Sequence, residues 1–498
     1  MESSSRRSRD SRAAIDRLRG MVDVDAAALQ TRQAALRSLQ GTFRAHGYRQ
    51  VETPVVEPTE LFLRKSGGER VAQMYAFHYR DRDIALRPEH TASILRMYAD
   101  TLQSEPFPLR LSYAGPVFRY EKPQAGRTRQ FTEVGCELLG AAGPAADAEV
   151  IHLALAGLAA AGLHGQLELG HIGIVLDFLN RLPLRQRARD WLVWSMERLR
   201  KGQAVDVQSE LAGLVSRDSL SAIFTEMGDS LRDVPPDQLR SWVLAVLSEV
   251  GVRTEGGTRS PDEIVSGVIA KMSRPSDADD VGRAVGFVRE LVAIRGTPSE
   301  TLPRLRALTA SHGLDEEPIQ RIEDVLALLE AYGHPRDEIQ LNLGLGRGLH
   351  YYTGILFEIY APGAAGPQLC GGGRYDDLAQ TLGARQPLPA CGFSYGLERI
   401  VEAAGRPSEL LAPRVLVIPR TPTAIAGAIR VAEERRRQGE NVELDVRGRS
   451  RQANRRYAER RGIPRMLLVD EGGEVEVDSL LAADPIDAEM PVGDGRGG

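Results

Sequence analysis

The sequence predicts an α+β fold: a core of antiparallel sheet flanked by helices, interrupted by a helical insertion and followed by a small α/β domain. Three observations predict it. Leu109–Phe118 and Arg129–Leu139 alternate apolar and polar residues on either side of a polar tip, Lys122–Thr128, as in a long antiparallel hairpin. Residues from Asp177 to Pro335 read mostly at helical spacing with charged faces, a stretch about the size of one domain. Beyond a composition break at Ala404–Pro413, short apolar runs alternate with helical ones. At 498 residues, two or three domains are expected.

Taken in order, the opening MESSSRRSRDSR is Ser/Arg-rich but has no apolar stretch and includes Glu2 and Asp10, which favours a disordered lead-in over residues 1–20. The first part of the core spans 21–176. Helical spacing runs from Ala26 to His46, with Leu29, Ala34, Leu36, Leu39 and Phe43 on one face and Gly47 closing it. Tyr48–Val56 reads as a strand, Met74–Arg80 and Asp83–Arg87 as a hairpin, and Ala92–Leu102 as a helix. After the central hairpin come a helix, Ala146–Ala161, and a strand, Gln166–Val175.

The helical insertion occupies 177–335 and carries no chemical motif. The core resumes over 336–405 with strands at Ile355–Tyr360 and Ala390–Tyr395 and a helix opening at Gly396. The α/β domain spans 414–483: strands at Arg414–Pro419, Asn441–Val446, Met466–Val469 and Glu474–Val477, helices at Ala424–Gln438 and Ser450–Arg461. The Gly-, Asp- and Pro-rich tail, 484–498, is expected to be disordered.

Composition narrows the function. Hydrophobic content of 42% and charged content of 26% are those of a soluble globular protein, and a net charge of −5 gives no global nucleic-acid signature. Cys136, Cys370 and Cys391 are far apart with no metal-ligand spacing, so no metal site follows from a protein motif and a reducing cytoplasm is expected. No run is long enough to span a membrane.

The chemistry gathers on the hairpin. Arg119 and Glu121 stand two residues apart on one face, Gln124 and Arg127 occupy the tip, and Glu133 and Glu137 lie on the returning strand. Such a set suits a polyanionic ligand, and equally a charged hairpin with cross-strand ion pairs. Glu89 and Thr91, following Leu86-Arg87-Pro88, suit a small cation such as an amino group, or else Thr91 caps the next helix. The run Cys370-Gly371-Gly372-Gly373-Arg374-Tyr375-Asp376 would let backbone approach a ligand closely, although glycine runs are common in turns. Six arginines around Ser450–Arg461 suit RNA phosphates or a solvated charged face.

Together these segments resemble class II aminoacyl-tRNA synthetases, and among them the histidyl-tRNA synthetase family. The resemblance covers about Ala26–Leu139 and Leu341–Leu481. Pro54 matches the dimer-interface proline of the first motif, FRYEKPQAGRTRQF the second motif and GFSYGLERI the third, while RPEHTA, RGLHYYTG and CGGGRYD resemble segments of the histidyl branch. The resemblance implies a class II catalytic core, a C-terminal anticodon-binding-like domain, a homodimer, and ATP with Mg2+, histidine and tRNA(His) as ligands. It implies that Arg119 holds the α-phosphate, Glu121 accepts from the adenine amino group, Phe131 stacks on adenine, and Arg127 and Arg399 clamp the outer phosphates. Arg347 would neutralise charge as histidine's carboxylate attacks. Glu89 and Thr91 match amino-group ligands, Glu137, Tyr352 and Tyr375 surround the imidazole, Glu133 and Tyr351 complete the histidine set, and Gln124 meets the tRNA.

Glu133 stands where the family has Gln, His350 where it has Asp, and the insertion is longer than usual. A carboxylate at position 133 is expected to repel histidine's own unless protonated or turned away. QFTEVG, LGHIGIV and LHYYTGILFEIY also resemble a paralogue, the regulatory subunit of ATP phosphoribosyltransferase, which binds that enzyme's catalytic subunit and charges no tRNA. The intact arginines and a complete C-terminal domain favour the synthetase.

Overall fold

The structure is a computed structural model describing residues 15–66, 73–120, 128–184, 186–200, 202–203, 278–346, 351–363, 366–405 and 415–480. The chain divides into two compact units, one of Met1–Val24 and Thr31–Arg406 and one of Asp25–Gln30 and Pro407–Gly498.

The first helix among the described residues is α1 (Ala26–Ala45), whose Leu39 and Phe43 are buried. Strand β1 (Arg49–Gln50), strand β2 (Val56–Pro58), helix α2 (Thr59–Ser66), and the hairpin of β3 (Tyr75–Tyr79) and β4 (Arg82–Leu86) follow. The single strand expected over Tyr48–Val56 is therefore split between two sheets: β1 pairs with the central hairpin, β2 with β4. Pro54, which has no N–H to give a ladder, lies in the break. Helix α3 (Thr91–Met97) precedes the central hairpin, β5 (Leu109–Phe118) and β6 (Gln130–Leu139), whose strands pair residue for residue from Leu109↔Leu139 to Phe118↔Gln130.

Helix α4 (Pro144–Ala160) then leads to β7 (Gln166–His171). The strand expected to reach Val175 stops at His171, and helix α5 (Gly173–Arg181) starts at once. Its apolar residues Ile174, Val175, Phe178 and Leu179 recur at helical spacing, so the 3.6-residue period prevails over β-branching. Helices α6 (Gln186–Arg200), α7 (Ala278–Val292), α8 (Pro298–Ser311) and α9 (Glu317–Ala331) bracket strand β8 (Arg295–Gly296). Their buried side chains, among them Leu192, Phe287, Leu305 and Ile322, belong to the same hydrophobic core as the sheet.

Strands β9 (Gln340–Asn342), β10 (Ile355–Tyr360), β11 (Gln368–Arg374) and β12 (Ala390–Gly396) complete a nine-stranded sheet among the described residues, in the order β1-β5-β6-β12-β11-β10-β7-β9-β8. Short helix α10 (Leu378–Thr381) and helix α11 (Leu397–Ala404) flank its last strand. The pairs β1·β5 and β7·β9 are parallel and the others antiparallel. The glycine run expected to approach a ligand is the middle of β11. A Cβ at Gly372 would overlap the Gly392 carbonyl and the side chains of Phe393 and Phe357, so this glycine serves packing between strands.

The smaller unit holds β13 (Val415–Pro419), α12 (Ile425–Arg437), β14 (Val442–Leu444), α13 (Arg451–Arg461), β15 (Arg465–Val469) and β16 (Val475–Ser479), with sheet order β14-β13-β15-β16. Alternation on β13 builds two cores. Val415 and Val417 pack with Ala428 and Ala432 of α12, while Leu416 and Ile418 pack with Ala458 of α13. Most of the expected basic patch is paired: Arg449 with Asp445, Arg451 with Glu476 and Asp478, Arg455 with Glu459 and Arg461 with Glu443.

Overpacking at the tight β11–β12 contact provides a test of this arrangement. Gly372→Ala is expected to destabilise the larger unit by about 2 kcal/mol or more, read as a lowered denaturation midpoint; an unchanged midpoint would contradict the packing.

Candidate active site

A single face of β5, β6 and β12 forms the floor of the site. Along β6 the residues pointing to one side alternate as Glu133, Gly135 and Glu137. Glycines stand across the ladder from both acids: Gly115 and Gly396 beside Glu133, and Gly392 beside Glu137, whose other neighbour is Leu111. A side chain at Gly392 would occupy the position of the Glu137 carboxylate, and one at Gly115 would strike Arg87 and His90. The glycines therefore leave room for two carboxylates in the middle of a sheet.

Each carboxylate is satisfied in its own way. Glu133 accepts from the backbone N–H of His90 at 2.9 Å and from its ring Nδ1 at 3.0 Å, both at Oε2. Arg119 approaches Oε1 at 3.5 Å. Burial would raise the Glu133 pKa, but the His90 hydrogen bonds and the charges of His90 and Arg119 outweigh it and pull it down to about 2. Glu133 is thus ionised and turned onto His90, whose ring stacks on Tyr113 at 4.5 Å between centroids. The repulsion expected of an unpartnered carboxylate here is relieved by a residue that lies between Glu89 and Thr91 in sequence.

Glu137 is the opposite case. Its carboxyl accepts from the hydroxyls of Tyr113, at 3.3 Å, and Tyr375, and shares a hydrogen bond with Thr91. Burial dominates and lifts its pKa to about 8, leaving it protonated at neutral pH. Glu89 is buried as well, and Lys65 Nζ stands 2.6 Å from its Oε2. That ammonium lies 4.4 Å above the centre of the Tyr351 ring, and Tyr351 packs against Tyr352 and Tyr375.

Thr91 does not cap α3: the N-cap is His90, with no side-chain cap bond, and Thr91 is the first helical residue, bonded to Glu137 instead. Arg119 Nε donates to the Pro88 carbonyl at 2.8 Å, and its guanidinium sits 5.1 Å from the centre of the Phe131 ring. Arg399, in the first turn of α11, donates to the Gln368 carbonyl at 2.9 Å. The neighbouring Glu398 accepts from Thr132 N–H at 3.0 and 3.1 Å, tying α11 to β6.

The structure thus brings together Glu89, Thr91, Arg119, Phe131, Glu133, Glu137, Tyr351, Tyr352 and Tyr375. Glu121, Gln124, Arg127, Arg347 and His350 lie outside the described residues. Three further residues at the site had no signal in periodicity. Lys65 ends α2 as one more charged residue after Arg64, and His90 and Tyr113 acquire their roles only through tertiary contact. Arg87 is a fourth: its guanidinium donates to the carbonyls of Thr53, Pro54 and Pro116 and to the Thr53 hydroxyl, and fixes the strand ends around the floor.

The two titrating carboxylates pull stability in opposite directions. Glu137 has a folded pKa above its ordinary 4.5, so its contribution is complete below pH 4.5 and is lost as pH rises to about 8. Glu133 has a folded pKa below 4.5, so its contribution is present above 4.5 and is lost as pH falls toward about 2. Glu137→Gln is therefore expected to remove up to about 1.4 kcal/mol per pH unit of the decline in unfolding free energy between pH 4.5 and 8. Denaturant titrations across that range check it, and parallel profiles for the two proteins would contradict it.

Comparison with known proteins places this geometry in context. The family described as histidyl-tRNA synthetase matches residues 20–228 and 270–400. Histidine–tRNA ligase of Methanocaldococcus jannaschii is 29% identical over 94% of this chain and 95% of its own length, and that of Pyrococcus furiosus 31% identical over 92% and 91%. Among solved structures, a Bacillus halodurans protein described as an ATP phosphoribosyltransferase regulatory subunit/histidyl-tRNA synthetase aligns with a TM-score of 0.61 at 22% identity, covering 91% of this chain and 97% of its own. Apo S. aureus histidyl-tRNA synthetase aligns at 0.58 and 22%, covering 94% and 98%.

Proposed function

The chain belongs to the histidyl-tRNA synthetase family, and from that membership we propose that it is a histidine–tRNA ligase, activating histidine with ATP and transferring it to tRNA(His). The observation that carries this reading is the likeness to histidine–tRNA ligases over more than nine-tenths of both chains, including the C-terminal α/β unit. The solved structure whose description also names the regulatory subunit is alike in fold, at 22% identity.

In this reading the histidine carboxylate attacks the α-phosphorus of ATP, pyrophosphate leaves, and a ribose hydroxyl of the tRNA then attacks the activated carbonyl, releasing AMP. Magnesium enters with the triphosphate as its counter-ion. Arg119, whose guanidinium is fixed by the Pro88 carbonyl and the Phe131 ring, contacts the α-phosphate. One face of Phe131 carries Arg119, and the adenine takes the other. Arg399 and Arg127 hold the outer phosphates, and Arg347 offsets the charge that builds as carboxylate and phosphate converge. Glu121 receives the adenine amino group and Gln124 faces the acceptor end of the tRNA. Guanidinium forks suit this work because they stay charged and bind phosphate oxygens in pairs. Orientation and electrostatics, with no covalent nucleophile, then supply the acceleration.

The histidine pocket is built from Glu89, Thr91, Glu133, Glu137, Tyr351, Tyr352 and Tyr375. Three tyrosine rings within 4.4–6.2 Å of one another, with Tyr375 bonded to Glu137, give a flat, half-polar wall suited to an imidazole. The protein is proposed to work as a homodimer in the cytoplasm. No helix among the described residues is long and apolar enough to cross a membrane.

Purified protein is expected to exchange labelled pyrophosphate into ATP only when histidine is present. Absence of exchange, with stimulation of an ATP phosphoribosyltransferase catalytic subunit instead, would replace this reading by the regulatory one. Arg119→Gln should lower the exchange rate by about 100-fold or more with the denaturation midpoint little changed, and a rate within a few-fold of wild type would remove Arg119 from the α-phosphate.

A further inference from the structure

The helical insertion meets the sheet on the same face as the candidate site. One rung of the nine-stranded sheet runs Gly135, Ser394, Gly371, Glu358 and Glu168. Residues opposite one another across a ladder point the same way, so Glu358 and Glu168 stand on the face that carries Glu133 and Glu137. Two buried acids directly opposed repel one another unless a cation lies between them. Arg200, the last residue of α6, supplies one: its Nη1 is 3.5 Å from Glu168 Oε2 and its Nη2 is 3.4 Å from Glu358 Oε2. The three side chains are almost wholly enclosed, at 11%, 8% and 6% exposed. Glu197, one turn earlier, holds the guanidinium at 2.6 and 3.0 Å. Arg200 also donates to the Tyr360 hydroxyl at 3.2 Å, which in turn donates to Glu358.

From Glu358 the contacts run on towards α11. Across β10 and β11, Ile359 faces Cys370 but Tyr360 faces Gln368, so Leu369 is an extra residue in β11. Such a bulge turns the residue beyond it to the other face, and here it puts Gln368 beside Glu358. Gln368 Nε2 donates to Glu358 Oε1 at 2.9 Å and to the Cys370 carbonyl at 3.3 Å. These bonds fix the first residue of β11, whose backbone carbonyl accepts from Arg399 Nη1 at 2.9 Å. A continuous series thus joins the insertion to the arginine of α11, through Arg200, Glu358, Gln368 and Arg399.

We propose that Arg200 is a positioning residue for the outer phosphates of ATP: by holding Glu358 it fixes Gln368, whose carbonyl sets where the Arg399 guanidinium stands. That Arg399 holds phosphate rests on the ligase reading. The helical insertion, which carries no chemical motif of its own, then acts on the nucleotide through buried ion pairs at the end of α6. The effect is selective by position. Arg399 serves the outer phosphates, whereas Arg119 and Phe131 of the central hairpin hold the α-phosphate and the adenine. Loss of Arg200 is therefore felt by a triphosphate and not by a monophosphate.

The test is calorimetric titration of the full-length protein, with magnesium, against β,γ-methylene-ATP and against AMP. Arg200→Met and Gln368→Met are each expected to weaken the triphosphate analogue by about tenfold and to leave AMP within about twofold of wild type. Because both residues act through one series, the double variant is expected to bind the analogue no more weakly than the weaker single variant. Unchanged affinity for the analogue in either single variant, an equal loss for AMP, or losses that multiply in the double variant would overturn the proposal. So would wild-type protein that binds the analogue no more tightly than AMP. Should Arg200→Met fail to fold, Arg200→Lys, which keeps a charge but cannot span both acids, takes its place with the same direction of loss. The expected nucleotide effects without histidine-dependent pyrophosphate exchange in the wild-type protein would count against the ligase reading while leaving this assignment standing.

Discussion

Everything at the site depends on fitting three carboxylates, Glu89, Glu133 and Glu137, into a buried space beside one hairpin. A buried carboxylate is tolerated only when paired, hydrogen-bonded or protonated, and here each solution is used once. Glu89 is paired with Lys65, Glu133 is hydrogen-bonded to His90 and approached by Arg119, and Glu137 is held neutral by burial among tyrosine hydroxyls. The glycines Gly115, Gly392 and Gly396 across the ladder provide the volume, and the β-sheet register decides which carboxylate meets which partner. A one-residue slip of β6 would turn all of β6's acids to the opposite face.

The same constraint explains how binding and catalysis could share a floor. The neutral Glu137 and the three tyrosines form the end suited to a flat heteroaromatic ring, while the charged Glu133 lies four residue pairs along the ladder towards the hairpin tip, with Arg119 just beyond the end of β5. Arg119 belongs to both halves, touching Glu133 on one side and Phe131 on the other. An amino acid and a nucleotide placed on the two sides of one guanidinium would have their reacting groups adjacent, which is the positional requirement of adenylation. Glu398 fixes α11 to β6, so Arg399 is held relative to the same strand.

Much of this was legible in the sequence, for physical reasons that can be named. The hairpin was readable to within a residue because period-two alternation over ten residues has few alternative explanations. So was β13 of the smaller unit, where a run of apolar residues is buried on both faces. Tyr48–Val56 and Gln166–Val175 misled because each is apolar enough for a strand, while proline in one and 3.6-residue spacing in the other redirect the chain. The resemblance pointed to the arginines and acids, but could not show how the acids coexist. Lys65 reaches Glu89 across 24 residues and His90 reaches Glu133 across 43, contacts that exist only once the sheet has formed.

The most direct test is a crystal structure of the full-length protein bound to a non-hydrolysable histidyl-adenylate analogue. The ligase reading predicts the imidazole beside Glu137 and Tyr375, the α-phosphate on Arg119 and the adenine on Phe131. An imidazole seated away from Glu137, or an α-phosphate out of reach of Arg119, would contradict the account.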